Sequence, residues 1–140
     1  MAVHQIDSLE DYLRYMQLTK GEADALFREL LIGVTSFFRD SEIFDDIQKQ
    51  VIPHLFAGKE ACSAIRVWVP GCSTGEEAYS IAMLLRERME DRKENFKVQI
   101  FATDIDREAI DHARAGIYPS SIVADVSPER LAHFFNQEQP

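Results

Sequence analysis

The sequence predicts an α/β fold: a parallel sheet with flanking helices, preceded by an all-helical stretch. Two observations carry that class. From Ile65 the chain reads strand, turn, helix, strand, helix, with Ile65–Val69 and Val98–Thr103 as the β-rich runs. Strands recurring at roughly 30 residues with a helix between them are the signature of a parallel crossover. Before Ile65 the apolar residues fall at helical spacing instead, so the composition changes character there. At 140 residues, 46% hydrophobic and 28% charged, the chain is long enough to bury a core and too apolar to be disordered.

Ser8 is placed to cap a short amphipathic helix carrying Leu9, Leu13 and Met16, with Tyr12 beside them and Asp11 as the capping partner. Thr19-Lys20-Gly21 breaks it. A second helix carries Ala23, Leu26, Phe27, Leu30, Leu31 and Val34. The junction Thr35-Ser36-Phe37-Phe38-Arg39-Asp40-Ser41 follows, where Asp40 or Ser41 can cap a third helix with Ile43, Phe44, Ile47, Val51 and Leu55 on one side. Pro53 should distort its last turn. Gly58-Lys59-Glu60 reads as a loop. The first strand ends at Pro70-Gly71, and Cys72-Ser73-Thr74-Gly75 leads into a long helix from Glu76 with Ile81, Met83, Leu84 and Leu85 in its middle. The second strand stops at Asp104-Ile105-Asp106, and a helix over Arg107–Ala115 stops at Gly116. After a Tyr118-Pro119 turn, Ser127 caps a last helix whose first position is Pro128.

The charge balance excludes whole classes of function. Lys and Arg total 15 against 24 Asp and Glu, a formal charge of −9, which argues against broad electrostatic binding to nucleic acid or to anionic membrane. No apolar run approaches the roughly 20 residues of a membrane span, so direct membrane insertion is not expected. Met1–Asp7 lacks the basic and apolar parts of a signal peptide. Cys62 and Cys72 are too few for a disulfide framework or a zinc site, so the expected setting is a reducing cytoplasm. His4, His54, His112 and His133 show no metal-ligand spacing.

In parallel, helix-flanked sheets ligands sit beyond the carboxyl ends of the strands. That rule sets Gly71–Glu76 beside Asp104. Glycine at 71 and 75 permits positive φ and a close ligand approach, although a structural turn explains a glycine pair equally well. The turn is neither a P-loop nor a three-glycine dinucleotide fingerprint. Glu76 and Glu77 open the following helix. They read either as dipole and capping carboxylates or as ligand groups that repel a pyrophosphate and favour positive charge. Asp104 is placed to accept from the two hydroxyls of a ribose, or alternatively to cap the next helix, a role Asp106 could fill. A ribose with positive charge and no phosphate describes S-adenosylmethionine.

Three blocks then carry a family likeness: Val34–Asp40, Val67–Ser80 and Phe101–Asp106. In order and separation they closely resemble the CheR-type chemotaxis receptor methyltransferases. The form with Pro-Gly-Cys-Ser and Thr-Asp-Ile-Asp is most similar to the CheR domain of proteins that fuse methylesterase, methyltransferase and PAS modules. The resemblance implies a Rossmann-like S-adenosylmethionine methyltransferase sheet. It also implies methyl transfer to glutamate side chains of a chemoreceptor cytoplasmic domain or a related signalling protein, leaving S-adenosylhomocysteine. By the same resemblance Thr35 and Arg39 contact the cofactor from the junction, Glu76 binds its amino group and Asp104 its ribose, with Gly71 in the turn. Gly33 stands where the family often has Asn. An ionised glutamate attacks a sulfonium methyl without help, so no catalytic residue is assigned.

The resemblance divides the chain into residues 1–38, the remnant of an N-terminal helical domain, and 39–140, the N-terminal half of the methyltransferase domain. The expectation is therefore a fragment, with weak or no cofactor affinity and no transfer on its own. Its unpaired strand edges should drive self-association. The alternative is a methyltransferase-like binding or signalling module that transfers nothing. A nucleotide-dependent oxidoreductase is disfavoured by Glu76-Glu77 and by the missing third glycine.

Overall fold

A computed structural model of the chain describes residues 6–31, 33–59, 63–93 and 95–137. These residues divide into two compact units, Met1–Ile32 and Gly33–Pro140. His4 and Cys62 lie outside the described residues, as does Glu60 of the expected loop.

The first unit is a helix pair, α1 (Leu9–Leu18) and α2 (Glu22–Leu30). Ser8 caps α1 reciprocally with Asp11: its hydroxyl accepts from the Asp11 N–H at 3.1 Å and donates to the Asp11 carboxylate at 2.8 Å. Gly21, at φ 93°, makes the reversal, and Tyr12 spans it by donating to Glu22 at 2.9 Å. α2 is shorter than its apolar spacing suggested. It stops at Leu30, because Gly33 and the β-branched Val34-Thr35 pair continue a helix poorly, and Val34 lies exposed in the junction.

The second unit opens with a helical rod of α3 (Ser41–Asp46), a π-helical turn (Ile47–Val51) and α4 (Ile52–Phe56). Two expectations are corrected here. Asp40 precedes the rod in a left-handed conformation and gives it no side-chain cap. The distortion by Pro53 lies before it rather than in the last turn. Its ring would collide with the carbonyl four residues back, and the wider π turn makes room, with the Ile52 N–H donating to Ile47. The extra residue in that turn rotates the apolar stripe. Ile52 and Phe56 are buried with Phe44, while Ile43 and Val51 face solvent.

β1 (Ala64–Pro70), α5 (Glu76–Arg92) and β2 (Lys97–Thr103) then form the crossover, followed by α6 (Arg107–Ala115), a 3-10 turn (Ser120–Ala124) and α7 (Pro128–Phe134). The strands pair in parallel from Ala64↔Lys97 to Pro70↔Thr103. The fold is thus α/β with a small parallel sheet. Ile65 and Val69 are buried on one sheet face, where Leu84 and Leu85 of α5 join Ile65, Phe44, Ile52, Phe56 and Phe96 in the main core. Trp68 and its register partner Phe101 stand on the opposite face, 69% and 52% exposed. A second core of Phe37, Met83 and Val126 draws in Phe38, Tyr118, Leu131 and Phe134. Phe37 and Phe38 are therefore packing wedges in this core.

Candidate functional site

The carboxyl ends of both strands meet at the turn between Pro70 and Glu76. The Cys72 N–H donates to the Thr103 carbonyl at 3.1 Å, extending the strand ladder by one bond past the end of β1. Gly71 (φ 67°) and Gly75 (φ 98°) then bend the chain into the left-handed region, and Ser73 joins them at φ 47°. The two glycines serve different ends. A Cβ on Gly71 would meet nothing within 4 Å, so its backbone borders open space; one on Gly75 would lie 2.9 Å from the Ala113 Cβ of α6.

Asp104 locks this turn to the end of β2. One carboxylate oxygen accepts the Ser73 N–H at 2.7 Å and the other accepts the Asp106 N–H at 2.8 Å. The capping alternative for Asp104 is taken by Asp106, which accepts from the Glu108 and Ala109 N–H groups. Each Asp104 oxygen keeps a second lone-pair direction, and the side chain is half-buried. Glu76 is half-buried at the mouth of α5, where the Thr74 hydroxyl donates to it at 2.6 Å.

The junction comes to the same place. The Ser73 hydroxyl donates to the Gly33 carbonyl at 3.4 Å. Ser80, fully buried on α5, accepts the Phe38 N–H at 3.0 Å and donates to the Glu76 carbonyl at 2.7 Å. Thr35 is half-buried within this segment, and the exposed Arg39 donates to the Val34 carbonyl at 2.8 Å, closing the junction into a loop.

Sequence reasoning missed two groups that hold these pieces together. Ser80 relays between junction and turn across 42 residues of sequence, and Tyr118 donates to the Thr74 carbonyl at 2.7 Å across 44. No spacing rule connects such pairs; only the fold does. Burial pushes the Tyr118 phenol well above its ordinary value, the Glu76 carboxylate adding to the effect. Burial likewise raises the Cys72 thiol, with Asp104 next in effect, so Cys72 is no activated nucleophile. A cavity of about 290 Å³ lies behind the turn, between α5, β2 and α6, with Ala78, Ala82, Ala102 and Ala113 in its wall. It contains none of Thr35, Arg39, Gly71, Glu76 or Asp104.

The donor set fits a ligand with a cationic end and a vicinal diol. Two carboxylates face one turn, an open glycine backbone lies between them, and one cation stands on the junction. The fit to a pyrophosphate is poor, since Glu76 occupies the helix mouth that such a group would need.

Residues 33–140 match the family profile described as "CheR methyltransferase, SAM binding domain". The "Chemotaxis protein methyltransferase" of Borreliella burgdorferi is 34% identical over 143 residues, covering 99% of this chain and 50% of that protein. The protein of the same description from Escherichia coli is 33% identical over 132 residues, covering 91% of this chain and 43% of that one. A 104.1 kDa protein of Rhodobacter capsulatus is 41% identical over 135 residues, 96% of this chain and 14% of its own length. The chain thus spans half or less of the length of these relatives.

Proposed function

The chain belongs to the CheR methyltransferase family, and we propose that its strand-end site binds S-adenosylmethionine for transfer to glutamate side chains of a chemoreceptor or related signalling protein. The observation that carries the reading is the pair of carboxylates, Glu76 and Asp104, tied to one glycine turn by hydrogen bonds of 2.6 and 2.7 Å. Glu76 takes the cofactor's ammonium, and the free lone pairs of Asp104 take the ribose hydroxyls. Gly71 lets the ligand lie against the backbone, while Thr35 and Arg39 close over it from the junction. When bound, the cofactor supplies a sulfonium methyl, which an ionised substrate carboxylate accepts as the sulfur keeps the bond pair.

The chain's own residues need only orient the ligand and exclude water, contributions worth several kcal/mol in reactions of this type. No general base is required, since the attacking carboxylate is ionised at neutral pH. Transfer itself is a property we propose only for a chain of its relatives' full length. For these residues we propose cofactor binding of low affinity, with both edges of the two-stranded sheet favouring self-association. Sedimentation at micromolar concentration checks the latter, and a compact monomer contradicts it.

The binding test is a titration of the full chain with S-adenosylhomocysteine, followed by NMR so that weak affinity is measurable. Glu76→Gln removes the charge but keeps an oxygen for Thr74. The loss of a charge-assisted bond should weaken binding by about tenfold or more. Unchanged affinity in Glu76→Gln contradicts the assignment. The second reading, a module that binds and transfers nothing, gives the same titration but no labelled methyl on a receptor fragment.

A further inference from the structure

Tyr118 lies after α6, beyond every residue assigned to the cofactor, yet it touches two of the three segments that carry them, the glycine turn and the junction. Its hydroxyl donates to the Thr74 carbonyl at 2.7 Å, one peptide before Gly75 and two residues before Glu76. Its ring meets the edge of Phe37 at 4.8 Å and 77°, and that of Tyr79 at 5.9 Å and 83°. Phe37 is 2% exposed and stands midway between Thr35 and Arg39. We propose that Tyr118 is a positioning residue for the amino-acid end of the cofactor, tying the turn that carries Glu76 to the junction that carries Thr35 and Arg39. The inference rests on the cofactor reading above.

The geometry argues for a role of the hydroxyl beyond filling space. Phenylalanine would make the same ring contacts, so the oxygen contributes only its bond to Thr74. That bond fixes one side of a peptide whose other side is already fixed, because the Gly75 N–H donates to the Cys72 carbonyl at 2.8 Å. With both ends held, the Thr74 side chain is aimed, and its hydroxyl in turn holds the Glu76 carboxylate at 2.6 Å. The close approach depends on Gly75, since a Cβ there would stand 3.1 Å from the Tyr118 oxygen. The phenol stays protonated through the accessible pH range, burial holding it far above neutrality, so it is a constant donor.

A tyrosine that merely stabilises the fold would affect every ligand alike; one that aims Glu76 affects only ligands with an ammonium to receive. The test compares S-adenosylhomocysteine with methylthioadenosine, which keeps the adenosine and lacks the amino-acid end, on the full chain. In Tyr118→Phe the affinity for S-adenosylhomocysteine should fall by about three- to tenfold, the worth of one neutral hydrogen bond. Methylthioadenosine should stay within about twofold of the wild type. Without any ligand, amide exchange at Gly75 should quicken by about three- to tenfold, for the same lost bond. Equal weakening of both ligands, or unchanged binding of S-adenosylhomocysteine, overturns the positioning role. Glu76→Gln run beside it separates the two claims. If that variant keeps full affinity the cofactor reading falls and takes this inference with it; if it loses affinity and Tyr118→Phe does not, only the inference falls.

Discussion

Replacing Gly75 with alanine attacks the strand-end turn at its tightest point. Gly75 sits at φ 98°, where an L side chain is strained by about 1–2 kcal/mol. The added Cβ would also stand 2.9 Å from the Ala113 Cβ and 3.3 Å from its Cα, so α6 or the turn must move. Overpacking of that kind costs about 1–3 kcal/mol, giving about 2–5 kcal/mol in all. Gly71→Ala is the internal control. It carries similar strain at φ 67° but meets nothing within 4 Å, so its loss should stop at about 1–2 kcal/mol. Urea unfolding of both variants measures the difference, which isolates the contact with α6. Equal losses would refute the claim that Gly75 is required by close packing rather than by backbone conformation alone.

Other substitutions test the supports around the site. Ser80→Ala strands the Phe38 N–H and should cost about 1–3 kcal/mol in urea unfolding, while weakening S-adenosylhomocysteine binding by loosening the junction. Glu87→Gln breaks the two-bond pairing with Arg130 (2.7 and 2.9 Å), whose guanidinium also stacks 4.3 Å over Phe38. With both side chains about a quarter exposed, a loss of about 1–2 kcal/mol is expected, read from the shift in urea midpoint. Glu90 bonds Arg86 at 2.7 Å and pairs with His133 at 3.2 Å, and Arg86 foremost holds its carboxyl below the ordinary 4.5. Because the folded carboxyl is the stronger acid, its stabilising contribution is complete above 4.5 and fades as pH falls through the lower folded value. Urea midpoints of wild type and Glu90→Gln should therefore differ at neutral pH and converge in acid.

The parts of the fold that were legible in the sequence are those written in local chemistry. β1 and β2 each extend the expected run by a residue at one or both ends, α5 opens at Glu76, and α6 covers Arg107–Ala115 with Gly116 as its left-handed stop. Ser127 caps α7 by accepting the Arg130 N–H, with Pro128 at the first position. What escaped was set by partners distant in the chain or by strain. The π turn before Pro53 fits the proline into the rod, and of the stripe that apolar spacing assigned, Phe44, Ile47 and Leu55 pack against the core while Ile43 and Val51 are left exposed. Phe38, Asp40 and Ser73 adopt positive φ without being glycine, and no residue pattern announces that. At the site, the turn and Asp104 could be placed together from strand order. The Ser80 relay and the Tyr118 strut could not, since each joins groups more than 40 residues apart.

The central claim is that one cluster, made of the junction, the glycine turn and the end of β2, receives the cofactor. Amide chemical-shift mapping of the full chain with S-adenosylhomocysteine tests it most directly. The account predicts perturbations concentrated at Thr35–Arg39, Gly71–Glu76 and Asp104–Asp106, collapsing in Glu76→Gln. Perturbations centred instead on the alanine-walled cavity between α5, β2 and α6, or none at saturating ligand, would contradict it.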